Sequence, residues 1–243
     1  MVVVPYKDSD LPKKAQVERM FDRIAHRYDL LNHLLSLNID KLWRRRAVKL
    51  LQPHHPQKIL DIATGTADFA LATVKLNPQK IFGVDLSEKM LESGRKKIEK
   101  KGLNALIELK KADAEHLPFN DSSFDAVTTG FGVRNFENLN KGIGEVFRVL
   151  RPGGTFIVLE FSRPRNPVFK RLYFFYFTNM LPWLGKVVSK DKSAYAYLPE
   201  SVRDFPDGEN FLAILESAGF VKCRWLSQTM GIAAIYEAQK PEK

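Results

Sequence analysis

Lys58 to Leu71, reading Lys-Ile-Leu-Asp-Ile-Ala-Thr-Gly-Thr-Ala-Asp-Phe-Ala-Leu, constrains this chain more than any other stretch. Ile59, Leu60 and Ile62 are β-favouring apolar residues and suit a short buried strand. Gly65 breaks the run, Thr66 is a candidate helix cap, and Phe69, Leu71 and Ala72 give the following helix an apolar side. Strand, tight turn and helix in that order aim backbone amides at whatever lies beyond the strand end, which is an anion site. A Gly-x-Gly-x-x-Gly dinucleotide fingerprint needs three glycines, because pyrophosphate requires close backbone approach. Ala63, Gly65 and Asp68 stand at those positions. A ligand with a carboxylate and no phosphates tolerates the loss better. An ordinary strand-to-helix turn is the alternative.

From Lys58 onward strands and helices alternate. Lys80 to Asp85, Ala105 to Leu109, Phe124 to Thr129 and Thr155 to Phe161 read as further strands. A helix capped by Ser87 runs to Lys101, and a second spans Leu139 to Leu150 before Arg151-Pro152-Gly153-Gly154. Asp207 to Gly219 reads as a helix, and Phe220 to Trp225 and Ile232 to Ala238 as a hairpin-like last pair. Ahead of this core, Val17, Met20, Phe21, Ile24, Tyr28, Leu31 and Leu35 fall at helical spacing, and Trp43, Ala47, Leu50 and Leu51 mark a second helix. The expected fold is α/β: a doubly wound, mostly parallel, seven-stranded Rossmann-like sheet. It carries an N-terminal helical addition over 13–52 and a helical insertion after the fifth strand over 164–204. The core of this single domain would be 57–163 and 205–239.

The chain has 38 Lys and Arg against 28 Asp and Glu, a formal charge of +10, which suits nucleic acid, anionic lipid or an anionic substrate. Arg44, Arg45, Arg46 and Lys49 gather on one helix as a solvated basic face. Cys223 is the only cysteine, so no internal disulfide can form. The apolar start is too short for a signal peptide, and no run of about 20 apolar residues could span a membrane. A cytoplasmic protein is expected. His26, His33 and His116 have no partners at metal spacing, and His54-His55 sit in a proline-bounded loop, so no metal is expected.

In doubly wound sheets ligands bind beyond the carboxyl ends of the strands. That rule brings Ala63–Thr66, Asp85–Leu86, Asp113–Ala114 and Gly130–Asn135 together. Asp85 can accept both hydroxyl hydrogens of a ribose, or else merely precedes a helix. Asp113 can hold an adenine amino group while Ala114 leaves room for the ring, or else bonds its own backbone. Together these acids describe an adenosine-bearing cofactor.

Leu60-Asp-Ile-Ala-Thr-Gly-Thr-Ala-Asp68, Gly83-Val-Asp-Leu-Ser-Glu-Lys-Met-Leu91, Ala112-Asp-Ala-Glu-x-Leu-Pro-Phe119 and Arg148-Val-Leu-Arg-Pro-Gly-Gly154 resemble class I S-adenosylmethionine methyltransferases. Tyr28-Asp29-x-x-Asn32-x-x-x-Ser36 with Trp43, Phe131-Gly132-Val133-Arg134-Asn135, Glu160-Phe161-Ser162 and Tyr197-Leu-Pro-Glu-Ser-Val202 narrow the resemblance to the menaquinone/ubiquinone biosynthesis C-methyltransferases. It spans about Phe21 to Tyr236. It implies S-adenosyl-L-methionine as cofactor, held by Asp61, Thr64, Gly65, Asp85, Asp113 and Ala114. It also implies C-methylation of a prenylated quinol ring, demethylmenaquinol to menaquinol. Arg134 would meet a developing quinol oxyanion, unless it forms an ion pair with Glu137 or another acid. Asn135 would hold the other ring oxygen, and Tyr28 or Asp113 would relay a proton through water. Departures are Ala67 for a usual Gly, Gly130 for Ser, Leu31 for Met, and Asp40 for His, the last ruling out His-based proton transfer there.

Phe169, Leu172, Tyr173, Phe174, Phe175, Tyr176, Phe177, Met180, Leu181, Trp183 and Leu184, flanked by Lys170, Arg171, Lys186 and Lys190, form the most aromatic stretch. It can wall an apolar pocket, rest peripherally on the cytoplasmic face of a membrane, or serve as core or a homodimer contact. A nucleic-acid methyltransferase acting on base amines would usually carry Asp- or Asn-Pro-Pro-aromatic at the fourth strand end. Thr128-Thr129-Gly130-Phe131 stands there, so no nucleic-acid partner is expected. A dinucleotide-binding regulator would need the missing glycines.

Overall fold

The computed structural model describes residues 3–29, 32, 36, 38–165, 171 and 192–243. Leu31, Leu35 and the aromatic stretch from Phe169 to Leu184, apart from Arg171, lie outside them. In chain order the elements are α1 (Lys13–Ile24), α2 (Ile39–Leu51), β1 (Lys58–Ile62), α3 (Asp68–Thr73), β2 (Lys80–Asp85), α4 (Glu88–Lys100) and β3 (Ile107–Lys111). They continue with β4 (Phe124–Gly130), α5 (Leu139–Val149), β5 (Leu150–Phe161), α6 (Lys192–Asp204), α7 (Glu209–Ser217), β6 (Val221–Gln228) and β7 (Ala233–Gln239).

The seven strands lie in the order β3-β2-β1-β4-β5-β7-β6. The first five pair in parallel, and β7 runs antiparallel to both β5 and β6. The order reverses between β1 and β4, so their carboxyl ends splay a cleft at the switch point. Helices cover both sheet faces, which is why β1 is apolar on both sides. Leu60 and Ile62 join Val84, Phe124, Phe156 and Tyr236 in one core, whereas Ile59 joins Ile81, Ala126, Ile157 and Ile235 in the other. That division follows the period-two alternation of a strand.

Local chemistry sets the helix starts. Ser87 Oγ accepts the Met90 amide at 3.2 Å, and Asn138 accepts the Lys141 amide at 3.0 Å, each capping its helix. Thr66 does not cap α3. That position falls to Ala67, in the left-handed region at φ +65°, while Thr66 Oγ1 bonds to Asp29 and accepts Lys97 Nζ at 3.0 Å.

Several boundaries differ from the sequence expectation. The long first helix ends at Ile24 and tightens into a 3₁₀ turn over Ala25–Arg27, carrying Tyr28 to the cleft wall. β3 begins at Ile107 because Leu103 to Leu106 closes a turn, the Leu106 amide donating to Leu103 O at 3.0 Å. β5 begins at Leu150 and takes in the Arg-Pro-Gly-Gly segment. The register slips between Phe124↔Leu150 and Ala126↔Thr155, and Gly153 at φ +75° donates to Lys240 O at 3.0 Å. Arg44 belongs to no solvated face: it is buried, pairs with buried Asp40, and lies 5.9 Å over the Phe131 ring.

Candidate functional site

The turn after β1 is strained and braced from below. Ala63, Gly65 and Ala67 all have positive φ, +52°, +54° and +65°, a conformation costly for the two alanines. Asp61, fully buried, supports it. Its Oδ2 accepts Thr64 Oγ1 at 2.6 Å and the Ala70 amide at 3.1 Å, and its Oδ1 accepts Thr128 Oγ1 at 2.7 Å. Burial pushes the Asp61 carboxyl up to about 6 against the pull of these bonds. Asp61 and Thr64 therefore shape the turn and are not among the residues lining the cleft beyond it.

That cleft encloses about 700 Å³ including its open mouth. Gly65, Asp85, Asp113, Ala114, Asn135 and Tyr28 all line it, so the strand-end rule does gather these sequence candidates. Asp85 accepts the Gly65 amide on Oδ2 at 2.8 Å and the Ser87 amide on Oδ1 at 2.9 Å. Burial pushes this carboxyl too up to about 6, opposed by those amides. Each oxygen keeps further acceptor capacity for a hydroxyl. A Cβ on Gly65 would sit 3.2 Å from Met90 Cε, so a side chain here would crowd the floor of the cleft. Asp113 accepts Lys14 Nζ at 2.6 Å and the Glu115 amide at 2.9 Å, and contacts His116 Nδ1 at 3.3 Å. Partial burial works against its charge, but these partners outweigh it and hold the carboxyl below its ordinary range.

Sequence reasoning missed the roof. Lys14, Val17, Glu18 and Phe21 of α1 line the cleft. Glu18 reaches Lys111 Nζ at 2.6 Å, and Asp22 accepts Ser87 Oγ at 2.6 Å. The signal was present: Lys14, Glu18 and Asp22 repeat every four residues beside the apolar stripe.

On the β4 side, Phe131 at φ +59° starts the turn that carries Arg134 and Asn135. Arg134 is not among the lining residues. Its Nη1 donates to Glu160 Oε1 at 2.7 Å and to Phe131 O, with the Glu160 side chain 0% and the Arg134 side chain 8% exposed. Of the two readings for Arg134, this geometry is the ion pair, and the acid is Glu160. Burial raises the Glu160 carboxyl while Arg134 opposes it. Asn135 Oδ1 accepts the Tyr197 hydroxyl at 3.1 Å, leaving its amide N–H groups for Phe131 O at 3.4 Å and the cleft. Tyr197 is buried, and its phenol is pushed up to about 12, first by that burial. Burial likewise raises the Tyr28 phenol, against a hydrogen bond with Asn32 and the charges of Arg134 and Arg44.

Residues 10–240 match the model of the ubiE/COQ5 methyltransferase family. The chain belongs to that family. The Bacteroides fragilis demethylmenaquinone methyltransferase is 45% identical over 98% of this chain and 97% of its own length. The Porphyromonas gingivalis protein of the same name is 40% identical over 98% of each. A Geotalea daltonii ubiquinone/menaquinone biosynthesis C-methyltransferase is 44% identical over 94% and 97%. Solved structures share the fold. A possible histamine N-methyltransferase from Thermotoga maritima has a TM-score of 0.65 at 23% identity, covering 93% of this chain and 99% of its own. The [4+2]-cyclase SpnF reaches 0.67 at 18%, covering 96% and 97%.

This ubiE/COQ5 member has a cleft that fits S-adenosylmethionine. Asp85 would take the ribose hydroxyls, and the Gly65 turn would lie against the amino-acid end. Ala112 and Ala114 are small enough to admit a flat base beside Asp113, and Leu86 and Met90 supply apolar cover.

Proposed function

We propose that this chain transfers the methyl group of S-adenosylmethionine to a ring carbon of a prenylated quinol, converting demethylmenaquinol to menaquinol. The observation that carries this reading is the near full-length identity of 40–45% to relatives named demethylmenaquinone methyltransferase. The cleft agrees with it chemically, since the carboxylates of Asp85 and Asp113 and the aromatic side chains of Phe21, Tyr28, Phe131 and Phe136 all line it.

The bound cofactor supplies a sulfonium methyl already activated for transfer. The chain's own task is alignment and charge. Holding two reactants in line can supply roughly 7–11 kcal/mol of a barrier. Asn135, its amide turned by Tyr197, donates an N–H to a quinol oxygen as that oxygen loses its proton. Arg134 stands behind Asn135 as half of a buried pair with Glu160, fixing the turn and adding a partly compensated positive field. Tyr28 or Asp113 passes the proton outward through water. The aromatic walls exclude bulk water, which strengthens each of these interactions.

A prenylated substrate implies work at a membrane surface, from the cytoplasmic side. Among the described residues no helix is long and apolar enough to cross a membrane. The test is incubation of the purified chain with labelled S-adenosylmethionine and a short-chain demethylmenaquinol, with mass spectrometry of the product. A ring-methylated quinol is expected. Absence of methylated quinol from a protein that binds S-adenosylhomocysteine would overturn the reading.

A further inference from the structure

The charge excess is not spread evenly. Helix α2 buries Trp43, Ala47 and Leu51 against the sheet and turns Lys41, Leu42, Arg45, Arg46 and Lys49 to solvent. Grooves flank it on both sides. One adds Lys75 and Lys101, and the other adds Lys222, its Arg224 being paired with Glu237. The acids lining them are already engaged, Asp68 by Lys97 at 2.6 Å and Glu237 by Arg224 at 2.6 Å. Lys41, Arg45 and Lys49 pair with no carboxylate among the described residues.

This basic face has an apolar tip. Leu42 is 45% exposed and Met230, on the turn between β6 and β7, is 63% exposed. Two hydrogen bonds tie the helix to that turn, Trp43 Nε1 to Thr229 Oγ1 and Arg46 Nη1 to Gln228 Oε1, both 2.8 Å. The turn sits at the carboxyl end of β5, where Phe161 pairs with Ala233 and Ser162 N donates to Ile232 O at 3.0 Å. The apolar tip is therefore at the end of the sheet where the cleft opens.

We propose that this face, Arg45, Arg46 and Lys49 with Leu42 and Met230 at its tip, docks the enzyme on an anionic lipid bilayer with the cleft end toward the membrane. The proposal rests on the quinol reading for its purpose, since a prenyl tail resides in lipid. Cations above exposed apolar side chains match the headgroup-to-acyl boundary of such a bilayer. A nucleic acid would satisfy the cations but has no use for Leu42 and Met230.

The experiment is sedimentation of the full chain with phosphatidylglycerol–phosphatidylcholine vesicles at low and high salt. It is run beside a duplex oligonucleotide and beside methyl transfer to a soluble short-chain quinol. Wild type is expected to bind the anionic vesicles and to release at high salt. Arg45→Gln with Lys49→Gln should lose about fivefold in affinity per cation removed. Leu42→Ser with Met230→Ser should also weaken binding. Both doubles should keep the wild-type melting temperature and short-chain activity, because all four side chains are exposed and outside the cleft. Wild type failing to bind vesicles, variants binding as wild type does, or tighter binding to the oligonucleotide would each overturn the docking face. Vesicle binding without methylation of any quinol would overturn the substrate reading instead and leave the docking face standing.

Discussion

On the proposed reading, Asp85 accepts the ribose hydroxyls of the cofactor from the floor of the cleft. A charged acceptor for two hydroxyls contributes roughly 1.5–3 kcal/mol, so Asp85→Ala should weaken S-adenosylhomocysteine binding about 10- to 100-fold by calorimetry. With its carboxyl raised to about 6, wild-type affinity should also fall as pH drops below that value, because a protonated acid accepts less well. Asp85→Asn should bind weakly with that part of the pH slope removed. Asp61, also raised to about 6, titrates in both proteins and so cancels in the comparison. Fold stability has the opposite sign. A carboxyl of 3.8 unfolded and about 6 folded takes up its proton more readily in the native state, so its contribution favours the fold at low pH and declines as pH rises between those values. An Asp85→Asn protein whose affinity still falls below pH 6 as the wild type's does would remove Asp85 from the ribose. A second residue-scale prediction concerns Tyr197. Tyr197→Phe frees the Asn135 amide to rotate and should lower kcat while leaving the KM for the methyl donor nearly unchanged. A defect confined to melting temperature would make Tyr197 structural only.

At the scale of elements, what the sequence made legible follows from what each signal depends on. β2 was expected over Lys80–Asp85 and is found there, because a buried parallel strand is a continuous apolar run bounded by turn residues. The same logic gathered Gly65, Asp85, Asp113 and Asn135 around one cleft. β5 was misjudged because Arg151-Pro152-Gly153-Gly154 joins the sheet through backbone bonds to Lys240 and Pro241 that no side-chain pattern reports. The Arg134–Glu160 pair was open for a similar reason: its two halves sit on different elements, and only the folded sheet brings them to 2.7 Å. Packing can also reverse a propensity. Gly94 lies inside α4, where Ala would ordinarily gain about 1 kcal/mol. A Cβ there would sit 2.8 Å from Leu109 Cδ1 and 3.3 Å from both Ala67 Cβ and the Thr66 backbone. Gly94→Ala should therefore destabilise, by about 1–3 kcal/mol in denaturant titration, and loosen the turn after β1. Unchanged or higher stability would mean that α4 shifts freely, and the turn would then not depend on its approach.

Over the whole molecule, the two sheet cores are extensive and the cap above the cleft is not. Val17, Met20 and Ile24 of α1 pack with Tyr197 of α6 in a separate small cluster, joined to the sheet through Phe161 and Ile232. Ion pairs supply much of the remaining attachment: Lys7 to Glu200 at 2.8 Å, Lys14 to Asp113 at 2.6 Å and Glu18 to Lys111 at 2.6 Å. The more exposed of these, Lys7–Glu200 and Glu18–Lys111, contribute about 0–1 kcal/mol each and weaken in salt, and Lys14–Asp113 is partly buried and screened less. The cap should therefore open at a lower free energy than the strands beneath it. Because α1 and α6 share one cluster, they should open together, although nearly the whole chain separates them in sequence. Hydrogen exchange followed by mass spectrometry tests this directly. Amides of α1 and α6 should exchange at similar rates, well ahead of β1 and β4, and raised salt should speed both. Lys14, Val17 and Phe21 line the cleft, so S-adenosylhomocysteine bound there as proposed should slow both helices by the same factor. If ligand protected α1 and left α6 unchanged, the shared cluster would not couple them, and ligand entry would proceed without disturbing the Tyr197–Asn135 contact.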